Sequence, residues 1–225
     1  MIDTTTIETK ATNWFESHWD PALPLGEWWR VLAESGYAFP EWPEGFGGRS
    51  MSGSEAKAVL RARRAVGAYG PPNVVATFLV APTLLVMGTP EQQRRYIPGI
   101  VDGTTPWCQL FSEPTAGSDM ASLGTRAVRD GDEWTVNGQK VWNSGAHYAD
   151  YGILIARTDP DAPKHRGVTY FLIDMRQPGV DVRPLREMTG DAAFNEVFFD
   201  DARVHDTDRV GGEGDGWRIA MTTLS

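Results

Sequence analysis

The chain has 225 residues, 41% of them hydrophobic and 23% charged, which is enough for a packed core and excludes bulk disorder. Its net charge of −9 argues against nucleic acid as a partner, and residues 106–225 hold most of the excess, with 12 Lys and Arg against 19 Asp and Glu. That excess reads as a solvated acidic surface rather than a site for a charged partner.

The single cysteine, Cys108, permits no internal disulfide and fits a reducing cytoplasm. Met1 to Lys10 is polar, so no signal peptide is expected. The longest apolar stretch, Val74 to Met87, contains Thr77, Pro82 and Thr83 and is too short for a bilayer. It is expected to form a buried helix, and no membrane partner is expected.

The first hundred residues have helical periodicity. Leu25, Trp28, Trp29 and Leu32 define one face of a helix from Leu25 to Ser35, with Gly36 as its stop. Ser54 is read as the cap of a helix running through Arg64, with Ala58, Leu60 and Ala65 among its small apolar positions. Pro40 to Gly48 is loop. Thr89-Pro90-Glu91-Gln92 places Thr at a cap, Pro at the first helical position and Gln three residues after the cap.

The period changes to two near Pro106. Strands are predicted over Trp107–Phe111, Arg126–Arg129, Glu133–Val136, Gln139–Trp142, Ile153–Ala156, Val168–Ile173, Val180–Pro184 and Glu196–Phe199. Asn137-Gly138 has the signature of a two-residue hairpin. Short strands with regular turns predict a sandwich or barrel. The segment Gly212 to Gly216 is Gly-rich but follows no βαβ unit, so it is not a dinucleotide fingerprint. Trp217 to Leu224 starts a helix too short to be stable alone, and the chain reads as cut there or continued by a partner.

Two segments offer binding chemistry. Ser112-Glu113-Pro114-Thr115-Ala116-Gly117-Ser118-Asp119 has hydroxyls, a glycine and consecutive N–H groups that suit an anion such as a pyrophosphate, or else form a plain turn. Gln139 to Ala146 places Trp142 two residues before Ser144. On a strand these share a face, giving a flat ring a stacking surface and a hydrogen bond; the alternative is a core tryptophan. His18, His147, His165 and His205 are scattered, so no metal site is expected. Arg61, Arg63 and Arg64 read as a solvated helix face rather than a phosphate contact, and Trp14, Trp19, Trp28, Trp29 and Trp42 as packing.

Three blocks in order resemble the acyl-CoA dehydrogenase family: Trp107 to Phe111 running into Ser112 to Asp119, Asp132 to Trp142, and Phe194 to Asp201 before Arg203-Val204, with Gly88 to Gln93 upstream. The resemblance covers nearly the whole chain. It implies an α+β multi-domain protein, with an all-α helical domain over residues 1–104, an antiparallel β-barrel or sandwich middle domain over 105–208, and the start of a truncated C-terminal helical domain over 209–225. It also implies FAD as cofactor and an acyl-CoA thioester as substrate. Gln109, Leu110, Phe111 and Ser112 would lie along the flavin ring edge. Gly117 and Ser118 would sit at the pyrophosphate, with Ser118 also beside the CoA part of the substrate. Trp142 and Asn143 would lie against the isoalloxazine, and Ser144 near the hydride-accepting nitrogen. Ser112 and Ser144 stand where the family more often has Thr, and Thr115 where Gly is common.

The implied activity is oxidation of an acyl-CoA to the 2,3-enoyl-CoA, the chemistry of fatty-acid β-oxidation. A carboxylate removes the α-proton, the β-hydrogen leaves as hydride to the flavin, and an electron-transfer flavoprotein or similar carrier takes the electrons. The family's base lies in the C-terminal domain, so no catalytic residue is assigned here. Glu113 is read as structural, and Glu187 and Glu196 as surface charges. The chain is expected to be inactive by itself, cytoplasmic, and part of a homo- or hetero-oligomer. Two alternatives stay open: an acyl-CoA oxidase or flavin monooxygenase of the same fold, and a non-catalytic partner subunit.

Overall fold

A computed structural model describes residues 4–72 and 74–225. The chain divides into two compact units, Met1–Thr77 with Tyr96–Thr104, and Phe78–Arg95 with Thr105–Ser225.

The first unit is helical. Its helices are α1 (Thr4–His18), α2 (Leu25–Ser35), α3 (Gly53–Val66) and the end of α5 (Pro90–Val101). Ile7, Ala11 and Phe15 of α1 and the small residues Ala58, Val59 and Ala62 of α3 are buried where the two helices pack. Leu60 and Ala65 lie outside that buried set. The cap of α3 is Ser52 rather than Ser54. Ser52 Oγ accepts from Glu55 N–H, and the Glu55 carboxylate accepts from Ser52 N–H at 2.7 Å. Only Ser52 has a glutamate three residues on, which is the spacing a reciprocal cap needs. Trp28 is fully buried beside Trp14, Phe15 and Trp19, and its indole N–H donates to Tyr69 O at 2.9 Å. Arg61, read as solvated, pairs with Glu8 across α1 and α3.

The expected buried helix over Val74–Met87 is two pieces, a π-turn at Ala76–Val80 and α4 (Ala81–Met87). Pro82 has no N–H for the carbonyl four residues back, which accounts for the widened turn. Nor is the stretch wholly buried, since Phe78 is 63% and Val86 68% exposed. The Thr89 cap of α5 is as expected: Gln92 N–H donates to Thr89 Oγ1 and Thr89 N–H to Gln92 Oε1. Among the described residues, no helix is long and apolar enough to cross a membrane.

The second unit is built on one mostly antiparallel sheet of eight strands: β1 (Trp107–Leu110), β2 (Arg126–Asp130), β3 (Glu133–Lys140), β4 (Tyr151–Arg157), β5 (Val168–Asp174), β6 (Val180–Leu185), β7 (Phe194–His205) and β8 (Arg209–Val210). The order is β6-β7-β3-β2-β4-β5-β8, and β1 also pairs with β4. Only β1–β4 and the single β2–β4 bridge are parallel. The sheet closes over one core containing Leu110, Trp134, Val136, Leu154, Phe171, Val197 and Val204. Trp134 of β3 lies 5.3 Å from Phe171 of β5, three places away in the sheet order, so the two arms face each other.

The hairpin expected at Asn137-Gly138 is absent. Both residues lie inside β3, where pairing with β7 slips by a residue between Val136 and Gly138. Gly138 has φ +150°, and a Cβ there would lie 2.5–2.8 Å from Thr125. Asn137 exchanges hydrogen bonds with Asp201 (φ +54°) on β7. The dipeptide therefore makes a bulge, because β7 is long enough to pair with both halves of β3.

Two sets of polar contacts fasten helical segments to the sheet within this unit. Buried Thr83 of α4 donates to Thr223 of α6 (Gly216–Thr223), whose hydroxyl lies 3.2 Å from Tyr170 OH. Gln92 Nε2 donates to the carbonyls of Thr207 and Arg209. The helix α6 is short, as expected, and is held by this packing rather than by its own length.

Fully buried Trp134 donates its indole N–H to Asp206 Oδ1 at 2.8 Å, and Arg209 forks onto the same carboxylate. The Arg209 guanidinium first, and then the Trp134 N–H, hold Asp206 down to about 2 from its ordinary 3.8 against the opposing effect of burial. A carboxyl lowered in the folded state stabilises the fold above its unfolded pKa, and that contribution fades as pH falls from 3.8 towards 2. Asp206→Asn is expected to remove about 2 kcal/mol at neutral pH and flatten this acid limb. Denaturant unfolding between neutrality and acid measures both, and an unchanged acid limb contradicts the assignment. Gly138→Ala is expected to cost about 2 kcal/mol or more, because the added methyl meets the Thr125 backbone.

Candidate functional site

Strand β1 ends beside a turn that β3 also approaches, and the space between them is the candidate site. Alternation along β1 sends Cys108 and Leu110 into the core and leaves Gln109 to the other face. Leu110 therefore differs from its expected place, for its side chain fills the gap over Gly152 and does not line the site. Burial pushes the Cys108 thiol up to about 12, so it is inert.

After Phe111 the chain turns tightly. Glu113 and Ala116 exchange backbone hydrogen bonds of 3.0 and 3.1 Å around Pro114-Thr115. Thr115 is absent from the residues of positive φ, so a β-branched side chain fits where the family often has Gly. Gly117 follows with nothing near the position a Cβ would take.

The Glu113 carboxylate points away from this turn into the protein. It accepts from Gly124 N–H at 2.6 Å, Thr125 N–H at 2.9 Å and the Lys140 ammonium at 2.8 Å. Burial opposes its charge, but Lys140 and the two amides prevail and hold it below the usual carboxylate range. Glu113 is structural, as the sequence reading has it.

Trp142 lies two residues beyond the end of β3, so strand alternation does not govern it. Its φ is +63°, rare for a bulky side chain, and its indole is 63% exposed, edge-on to Phe194 at 6.0 Å. The flanking backbone fixes this conformation: Val141 N–H donates to Ser112 O and Asn143 N–H to Asn195 O. Because Trp142 is left-handed rather than extended, Ser144 does not share its face. Ser144 is exposed and outside the cavity lining.

These elements enclose a cavity of about 470 Å³ lined by Gln109, Phe111, Ser112, Gly117, Ser118, Met120, Val141, Trp142 and Asn143. Seven of the nine residues named from the sequence meet there; Leu110 and Ser144 do not. From α6 come Trp217 and Met221, and from its C-cap Leu224. The sequence reading missed them, although their spacing of four and three residues puts them on one helix face. It also missed Asn195, fully buried, whose Nδ2 donates to Asn143 O.

The lining suits a planar ligand with an anionic tail. The Ser112 and Ser118 hydroxyls are engaged by no described residue. Asn143 Nδ2 donates to Gln109 O at 2.7 Å, while its buried Oδ1 has no partner among the described residues. A larger cleft of about 760 Å³ in the helical unit is lined by Lys10, Arg49, Glu34, Glu44 and Glu55. Its charges are of both signs and it has no exposed aromatic platform, so size does not make it the better candidate. Among the described residues no cluster of His, Cys, Asp and Glu could hold a metal ion.

Comparison with known proteins identifies the family and the fold. Residues 4–104 match the acyl-CoA dehydrogenase N-terminal domain and residues 108–202 the acyl-CoA dehydrogenase middle domain. The chain is 50% identical to acyl-CoA dehydrogenase FadE34 of Mycobacterium tuberculosis over 91% of its own length and 28% of that protein's. It superimposes on the Tcur3481-Tcur3483 steroid ACAD with a TM-score of 0.75 at 32% identity, covering 98% of this chain and 60% of that one. With a chain of the ChsE4-ChsE5 complex from Mycobacterium tuberculosis the TM-score is 0.75 at 31% identity, covering 100% and 60%. The chain thus spans from about a quarter to three fifths of the length of these relatives. With a helical unit and a mostly antiparallel β-unit that match both domain types in order, it belongs to the acyl-CoA dehydrogenase family.

Proposed function

We propose that this chain supplies the flavin-holding part of an FAD-dependent acyl-CoA dehydrogenase. The observation that carries the reading is Trp142, a large apolar side chain held exposed in a left-handed conformation at the wall of a cavity with two unengaged hydroxyls. Folding alone gives no reason to hold an indole there, whereas a flat ring gains a stacking surface.

In this reading Trp142 stacks on the isoalloxazine, Ser112 and Asn143 lie at its edge, and the Gly117 N–H and Ser118 hydroxyl donate to the diphosphate. Gly117 fits that role because nothing crowds it. FAD, when bound, supplies the hydride acceptor. The chain's own residues bind, orient and exclude water: Phe111, Met120, Trp217 and Met221 give the cavity apolar walls. Glu113 is not the base, because its carboxylate is sealed against Lys140 and two amides. None of the residues that line this cavity is assigned as the base that takes the α-proton.

The substrate is an acyl-CoA, with the CoA part passing Ser118. The designation of one structural neighbour as a steroid ACAD supports a bulky polycyclic acyl group, and the ChsE4-ChsE5 complex supports a heteromeric assembly. An electron-transfer flavoprotein or similar carrier is the proposed acceptor, and the cytoplasm the proposed location.

Titration of FAD into the purified protein tests the reading. Trp142→Gly is expected to weaken FAD binding by about tenfold or more without lowering the thermal midpoint, since glycine tolerates the left-handed conformation. Ser118→Ala is expected to weaken FAD and acyl-CoA binding together. Unchanged FAD affinity in both variants removes the flavin from this cavity. In the complete assembly, peroxide release on turnover in air would mark an oxidase instead.

A further inference from the structure

We propose that the buried Lys140–Glu113 pair is a positioning device that sets the spacing between the hydroxyl-bearing turn and the Trp142 platform, and so gives the cavity its shape. The identity of the ligand rests on the function proposed above; the geometry does not.

Lys140 is fully buried at the end of β3. Its ammonium donates to Glu113 Oε1 at 2.8 Å and to Phe111 O at 3.1 Å. The carboxylate also accepts the amides of Gly124 and Thr125. One ion pair therefore joins three stretches distant in sequence: the exit of β1, the entry to β2 and the end of β3. Ser112 stands between the two residues of the β1 exit that the pair holds, and Trp142 follows Lys140 by two. Between them Val141 N–H reaches Ser112 O at 2.9 Å. The pair thus touches the cavity-lining Phe111 directly and adjoins Ser112 and Val141, while Gly124 and Thr125 anchor it from outside the lining.

Stability alone does not explain such a pair. Taking two charges out of water costs several kcal/mol per ion, and an apolar pair of equal volume is commonly as stable or more so. What an apolar pair lacks is direction: it cannot bind one carbonyl and two amides at fixed angles. The pair touches the walls and not the bound ring, so its effect on binding is indirect.

Lys140→Met strands a buried carboxylate and is expected to unfold the unit or weaken it severely. The decisive variant is the double substitution Glu113→Gln/Lys140→Met, which removes both charges together. Amide hydrogen exchange without added FAD reads the walls directly. The double variant is expected to keep a thermal midpoint near that of the wild type. Exchange at residues 112–118 and 141–143 is expected to accelerate by about tenfold, with β4 and β5 still protected. FAD affinity is expected to fall by a similar factor. Unchanged exchange at those two segments overturns the proposal, because an apolar pair would then hold the walls equally well. A double variant that cannot fold overturns it too, by making the pair a requirement of the core. A wild-type protein that binds no FAD defeats the function proposed above, while the exchange comparison still judges the pair.

Discussion

A charged amine with no exposed surface has to be met by acceptors, and the way Lys140 is met organises the whole site. Burial pulls its pKa down to about 8, with Glu113 acting to hold it up. The carboxylate beside it needs donors in turn and takes them from Gly124 and Thr125. Once these demands are satisfied, the exits of β1 and β3 are fixed against each other, and Ser112 and Trp142 belong to one site with no hydrogen bond between their side chains. The buried pair works beneath the cavity alongside two contacts across it, Val141 N–H to Ser112 O and Asn143 Nδ2 to Gln109 O.

Trp142 shows the converse economy. A left-handed, exposed indole is unfavourable by about 1–2 kcal/mol of backbone strain, and it forfeits the burial that makes tryptophan useful in a core. It persists because both flanking amides are bonded, one to Ser112 O and the other to Asn195 O. Strain held in place from both sides, at the wall of a cavity, is what a preorganised binding surface requires.

The sequence makes much of this legible and hides the rest for identifiable reasons. The strand at Trp107–Leu110 and the Thr89–Gln92 cap are local patterns, and the structure follows them. Asn137-Gly138 misleads because its hairpin signature records only a tolerance for unusual backbone, which a bulge uses equally well when a twelve-residue partner strand is present. Pairing Trp142 with Ser144 extends strand periodicity up to four residues past the end of β3 at Lys140. Lys140 gives no local signal at all. A lysine in a strand ordinarily faces water, and its partner lies 27 residues away. Trp217, Met221 and Leu224 are readable as a helix face, but only three-dimensional packing shows that this face closes the cavity.

The same pair decides what Glu113 can do. A general base must be free to accept a proton at working pH, which calls for a carboxylate with an open lone pair and a pKa raised towards neutrality. Glu113 has the opposite character: three donors converge on it, and its pKa lies below the usual range. Reversing that would mean removing Lys140, and with it the strut that aligns the two walls. Holding a planar ligand and abstracting a proton therefore make incompatible demands on this carboxylate. A proton-abstracting base for such a ligand has to be a group other than Glu113.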